Sequence, residues 1–125
     1  MNKPKNRKNE VASQFLSLLD QHIEDIVSGK ETEFLSIKSI ADQLAISQTH
    51  FSFLIKEALG QKPCHYYDEK IINKAKDLLA DPAMLPADVA RKLTYDPSNF
   101  SKFFKKWTGE TPGEYRRHGI TSQTS

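Results

Sequence analysis

The chain repeats itself. Residues 40–66, IADQLAISQTHFSFLIKEALGQKPCHY, align without a gap on residues 89–115, VARKLTYDPSNFSKFFKKWTGETPGEY, at an offset of 49. Eight of the 27 aligned positions are identical: Ala41/Ala90, Leu44/Leu93, Phe51/Phe100, Ser52/Ser101, Lys56/Lys105, Gly60/Gly109, Pro63/Pro112 and Tyr66/Tyr115. Others exchange like for like, as in Ile40/Val89, Leu54/Phe103 and Ile55/Phe104. Self-similarity at a fixed period means one supersecondary unit built twice. Whatever fold the chain adopts must hold two copies of it.

Each copy reads as helix, tight turn, helix. In the first, Ser36 can cap a short helix whose apolar face is Ile37, Ile40, Ala41 and Leu44. Ala45-Ile46-Ser47 is the turn, and Ser47 caps a second helix running to about Leu59 with Phe51, Leu54, Ile55 and Ala58 inward. Gly60 fits the left-handed position just past its end. In the second copy Pro86 opens the short helix, with Val89, Ala90 and Leu93 inward. Thr94-Tyr95-Asp96 is the turn, Asp96 the cap, and Phe100, Phe103, Phe104 and Trp107 the apolar stripe. Thr111 and Glu114 form a capping box for a last short helix. This geometry is the one that lays a second helix into a DNA major groove.

The remaining segments complete an all-α fold of about seven helices. Residues 10–28 are amphipathic, with Val11, Phe15, Leu18, Leu19, Ile23 and Ile26 on one face and Gly29 as the stop. The organisation expected is a basic flexible tail over 1–9, a first helix-turn-helix subdomain over 10–62, a connecting helix over 63–81, a second subdomain over 82–118, and a flexible tail over 119–125. A connecting helix of roughly 17 residues spans about 26 Å. With its flanking turns it could set the two second helices about 34 Å apart, one turn of B-DNA.

Charge divides unevenly along this plan. Residues 1–9 carry four basic groups and no acid, residues 10–81 have a net charge of −5, and residues 82–125 one of +3. A polyanion should feel the C-terminal part most. Four histidines without metal spacing and a single cysteine, Cys64, point to no metal site and no cofactor. No nucleophile elbow, phosphate loop or convergent acid pair argues for an enzyme. No stretch reaches the roughly 18 apolar residues that span a bilayer. With one cysteine and no secretory signal, a cytoplasmic location is expected, with Cys64 an inert, partly buried thiol.

The residues now resemble the AraC/XylS family of bacterial transcription regulators over about residues 12–117. The most specific portion is FSKFFKKWTGETPGEYRR, Phe100 to Arg117, which is similar to the family's C-terminal pattern F-S-x-x-F-K-x-x-x-G-x-T-P-x-x-Y-R. The resemblance implies sequence-specific binding to double-stranded promoter DNA and control of transcription, often activation through contact with RNA polymerase. Many members carry a sensing and dimerising domain ahead of this module; a chain of 125 residues resembles the small stand-alone members, which implies a monomer unless a separate dimerisation domain is missing, and a truncated regulator would look identical in sequence. Three departures stand out: Thr94 where many members have Gly, a second turn one residue shorter than usual, and Phe53 where Arg is frequent.

The faces opposite the apolar stripes supply the candidate DNA-binding residues. They are Gln48, Thr49, Ser52, Phe53 and Lys56 in the first copy, and Ser98, Ser101, Lys102 and Lys105 in the second. Gln can pair with adenine, Lys can reach guanine, and Thr and Phe can touch a thymine methyl group. Lys56, Lys105, Lys106, Arg116 and Arg117 suit phosphates, which position a protein without reading sequence. Phe53 could instead pack on a neighbouring helix. A different reading of the whole, a protein-interaction module of the same fold that has lost specific DNA binding, draws on the net −5 of residues 10–81.

Overall fold

The computed structural model describes residues 7–124, with side chains described through His118. Among these residues the elements are seven helices: α1 (Arg7–Ser28), α2 (Ile37–Gln43), α3 (Gln48–Leu59), α4 (Pro63–Leu79), α5 (Pro86–Lys92), α6 (Pro97–Thr108) and α7 (Pro112–Thr124). Two ends differ from expectation. Arg7, Lys8 and Asn9 belong to α1 rather than to a tail, and Arg7 pairs with Glu10 one turn on, at 3.9 Å. At the other end α7 continues through Thr124 over the stretch expected as a tail, with no proline after Pro112 to stop it. The rest of the expected basic tail, including Lys3 and Lys5, lies outside the described residues.

Local chemistry places the helix ends. The Oγ atoms of Ser36 and Ser47 accept the N–H groups of Ser39 and His50, at 3.0 and 3.2 Å. Asp96 Oδ2 accepts from Ser98 and Asn99, at 3.1 and 3.3 Å. Each of these bonds satisfies a backbone donor that a helix start leaves unpaired.

The two turns are built alike, bond for bond. The N–H of Ile46 donates to the Ala41 carbonyl at 3.0 Å, and that of Ala45 to Asp42 at 3.0 Å. In the second copy Tyr95 donates to Ala90 at 2.9 Å, and Thr94 to Arg91 at 2.9 Å. These are paired six-to-one and five-to-two closures, which need a left-handed residue between them. Ala45 and Thr94 take that place, at φ 61° and 60°. The repeat therefore extends to a backbone conformation that neither side chain favours.

One core serves both copies. Phe15, Phe51, Ile55, Val89, Leu93, Phe100 and Phe104 are all inaccessible to solvent or nearly so, and they belong to a single continuous cluster. Phe15 meets Phe51 edge-on at 5.1 Å, joining α1 to α3. The loop after α1 links the connecting helix to the second copy: the Phe34 ring lies 5.9 Å from Tyr67 on α4 and 6.1 Å from Tyr95 in the second turn. α4 is bound to α1 on its other flank by Lys70–Asp20 at 2.8 Å and by Lys74–Glu24.

Candidate nucleic-acid interface

α3 turns Phe51, Leu54 and Ile55 into the core and leaves Gln48, Thr49, His50, Phe53 and Lys56 exposed, with Ser52 half-buried at the edge. α6 turns in Phe100 and Phe104 and leaves Ser98, Asn99, Lys102, Lys105 and Lys106 exposed, with Ser101 half-buried. The offset of 49 pairs these faces residue by residue: Thr49 with Ser98, His50 with Asn99, Ser52 with Ser101, Phe53 with Lys102, Lys56 with Lys105 and Glu57 with Lys106. Both copies thus present the same strip of backbone, with Ser52/Ser101 and Lys56/Lys105 repeated and different side chains at the other four positions.

The difference is mainly charge. α3 carries Lys56 beside Glu57, while α6 carries Lys102, Lys105 and Lys106 and no acid within the helix. Lys106 stands at the flank of its strip, where it faces Asp68 of α4. Burial raises the Asp68 pKa, and the opposing pull of His65 and Lys106 leaves it raised.

Phe53 is 58% exposed, and its ring stacks with His50 at 6.5 Å, the planes 13° apart. This pair is one helical turn apart, so an aromatic plate with an imidazole edge stands on the outer face of α3. His50 was missing from the sequence-based set although its spacing from Phe53 is visible there. Asn99, the matching residue on α6, was missing too, and the repeat alignment points to both.

Two sequence readings change here. Arg116 does not extend toward solvent as a cation awaiting a phosphate. Its guanidinium is half-buried and donates to three backbone carbonyls: Nε to Leu79 at 3.1 Å, and Nη2 to Asp81 at 3.1 Å and to Met84. Arg117, the next residue, is exposed. Cys64, expected to be partly buried, is exposed as well. The buried side of α4 runs through Pro63, Tyr67 and Ile71, four residues apart, and Cys64 falls one position off that line.

Among the described residues, no helix is long and apolar enough to cross a membrane. Comparison with known proteins agrees with the geometry. A family model described as a helix-turn-helix domain matches residues 40–118. The lactose operon transcription activator of Staphylococcus xylosus is 30% identical over 99 residues, which cover 78% of this chain and 36% of that protein. The arabinose operon regulatory protein of Escherichia coli is 35% identical over 81 residues, 64% of this chain and 28% of that protein. The chain therefore spans about a third of the length of these relatives. The DNA-binding domain of AdpA, solved in complex with a target DNA, shares the fold with a TM-score of 0.71 at 17% identity, covering 88% of this chain and 96% of that one. The matched relatives are transcription regulators and not enzymes. With a family model covering both copies of the unit, the chain belongs to the AraC-type helix-turn-helix family of transcription regulators, as a DNA-binding domain.

Proposed function

We propose that this domain binds duplex promoter DNA sequence-specifically, as a monomer, with α3 and α6 in successive major grooves. The observation that carries the reading is the matched pair of outward strips, set 49 residues apart on one core. The connecting helix α4 has 17 residues, and such a helix is about 26 Å long. That length, with its turns, suits the ~34 Å between grooves on one side of B-DNA. Gln48, Thr49, Ser52 and Phe53 on α3, and Ser98, Ser101 and Lys102 on α6, are the base-facing set. His50 and Asn99 join them. Lys56, Lys105, Lys106 and Arg117 contact phosphates. A bound regulator of this kind would also touch RNA polymerase at the promoter.

The charge difference makes the copies unequal. α6 holds the DNA through cations, and α3 contributes apolar contact and shape. Lys102→Ala or Lys105→Ala should therefore weaken binding more than Lys56→Ala, measured by fluorescence anisotropy on duplexes selected from a random pool. An equal or larger loss at Lys56 overturns this order. A second reading, an interaction module without DNA affinity, is favoured by the net −5 of residues 10–81. A salt titration separates the two. A DNA binder shows log affinity falling steeply with log salt, whereas the interaction module shows little binding at any salt.

A further inference from the structure

We infer that Arg116 is a positioning residue: it fixes the angle at which the second helix-turn-helix unit leaves the connecting helix, and so sets the spacing of half-sites the domain accepts. This rests on the DNA-binding reading above. Three observations support it. First, the three carbonyls that Arg116 holds are not scattered. Leu79 is the last residue of α4, and Asp81 and Met84 lie in the corner that leads into α5. One side chain from α7 thereby ties the end of the connecting helix to the start of the second unit. The cation also meets the negative end of the α4 dipole.

Second, the corner has its own bonds, which Arg116 completes. The Asp81 carbonyl accepts from Met84 N–H at 3.0 Å, and Asp81 Oδ1 accepts from Ala83 N–H at 2.9 Å. Third, α7 returns to α4 at a separate point, where Lys76 Nζ stands 5.7 Å over the ring of Tyr115. The second unit is therefore fastened to the connecting helix at both its ends, through the chain at α5 and through side chains at α7. α6 lies between those fastenings, which together with the shared core and the Phe34–Tyr95 contact set its orientation relative to α3.

A planar fork can donate to several carbonyls at fixed angles, whereas an ammonium is a point donor on a flexible stem. Lysine at 116 would keep the charge and lose the geometry. Inserting one base pair between half-sites turns the second groove by about 34° and moves it about 3.4 Å.

The test compares the unaltered chain with Arg116→Lys and Arg116→Gln. Each is titrated by fluorescence anisotropy onto a duplex selected from a random pool, and onto the same duplex with one base pair inserted or deleted between the half-sites. The unaltered chain should prefer its own spacing by about tenfold or more, since a displaced groove costs α6 several contacts. Both variants should bind the original spacing less tightly and lose most of that preference, to within about threefold. Hydrogen exchange without DNA should quicken across residues 80–93 and 112–118 and stay unchanged in α1 and α3.

If Arg116→Lys keeps both affinity and spacing preference, the cation is all that matters and the inference is wrong. It is equally wrong if both variants lose affinity by the same factor at every spacing, as a lost phosphate contact or a general loss of stability would produce. If Arg116→Gln fails to fold, Arg116→Lys alone decides between these outcomes. A chain that binds none of the duplexes defeats the DNA-binding reading, and the exchange pattern then judges the clamp by itself.

Discussion

His22 Nε2 accepts the backbone N–H of Leu35 at 3.0 Å, while the Tyr67 hydroxyl donates to the carbonyl of the same residue at 2.9 Å. Both backbone polar groups of one loop residue are thus held by side chains from α1 and α4. A ring nitrogen that accepts carries no proton. Burial lowers the His22 pKa from 6.5, against an upward pull from Glu31 and Asp25.

A pH dependence of stability follows from that shift. The unfolded chain takes up a proton at His22 before the folded chain does, so the neutral ring's contribution is complete above pH 6.5 and is lost as pH falls through the lowered folded value. The urea midpoint, followed by circular dichroism, should fall over this acid range, and His22→Gln should flatten that part of the profile. A wild-type midpoint that does not move there contradicts the clamp.

The cap of α7 makes a second prediction. Glu114 Oε1 accepts from Thr111 N–H at 2.9 Å, and Thr111 Oγ1 accepts from Glu114 N–H at 3.2 Å. The bonds from Thr111, backbone first, hold the Glu114 pKa below 4.5, so this stabilisation is present above pH 4.5 and disappears as pH falls through the lowered value. Thr111→Ala should cost about 1 kcal/mol in chemical denaturation at neutral pH. An unaffected midpoint would mean the cap contributes nothing.

Relief of the left-handed turns should stabilise the chain. Thr94 is β-branched and stands at φ 60°, where a left-handed residue costs about 1–2 kcal/mol. Glycine removes that cost and adds about 0.5–1 kcal/mol of chain entropy to be lost on folding. The Thr94 hydroxyl also bonds to the Leu93 carbonyl, at 2.6 Å, and that bond goes. After the lost bond offsets most of the roughly 0.5–1 kcal/mol that the backbone terms leave, a net gain of a few tenths of a kcal/mol is expected for Thr94→Gly, seen as a slightly higher Tm. A lower Tm would show that the hydroxyl bond outweighs the backbone strain.

Exchanging one residue between copies tests the unequal strips. Phe53→Lys gives α3 the residue that α6 carries at the matching position, Lys102. One new phosphate contact should steepen the slope of log affinity against log salt by about 0.9. Selection from a random pool should at the same time lose any thymine preference under α3. An unchanged slope would mean that this face does not approach DNA.

What the sequence made legible was the short-range part of the fold. Ser36, Ser47, Asp96, Gly60 and Gly109 act on backbone within a turn of themselves, so position alone identified their roles. Arg116 was misassigned because its partners lie 32 to 37 residues away, at a corner only folding assembles. His22 went unassigned for the same reason, its partner being 13 residues on in a loop with no periodicity. Amphipathic spacing decides which residues stand exposed on α3 and α6, but the His50–Phe53 stack depends on rotamers.

Large-to-small changes in the shared core should unfold both copies together. Phe51→Ala or Phe104→Ala should each cost about 3–5 kcal/mol. Each should leave one cooperative transition with coincident fluorescence and circular dichroism midpoints. Two separated transitions would mean the copies fold independently.

Phe34 touches Tyr67 of the connecting helix and Tyr95 of the second copy's turn together, so that copy shares its tolerance for mutation with the scaffold that carries it. Duplicated units joined by a bare linker can drift apart freely, each answering only for itself. Here a substitution at the Tyr95 turn alters the setting of Phe34, and the effect of a later change at Tyr67 depends on it. Residues in contact seldom contribute additively. The second copy is therefore epistatic with the scaffold around it: the history of substitutions at its turn limits which are open at Phe34 and Tyr67.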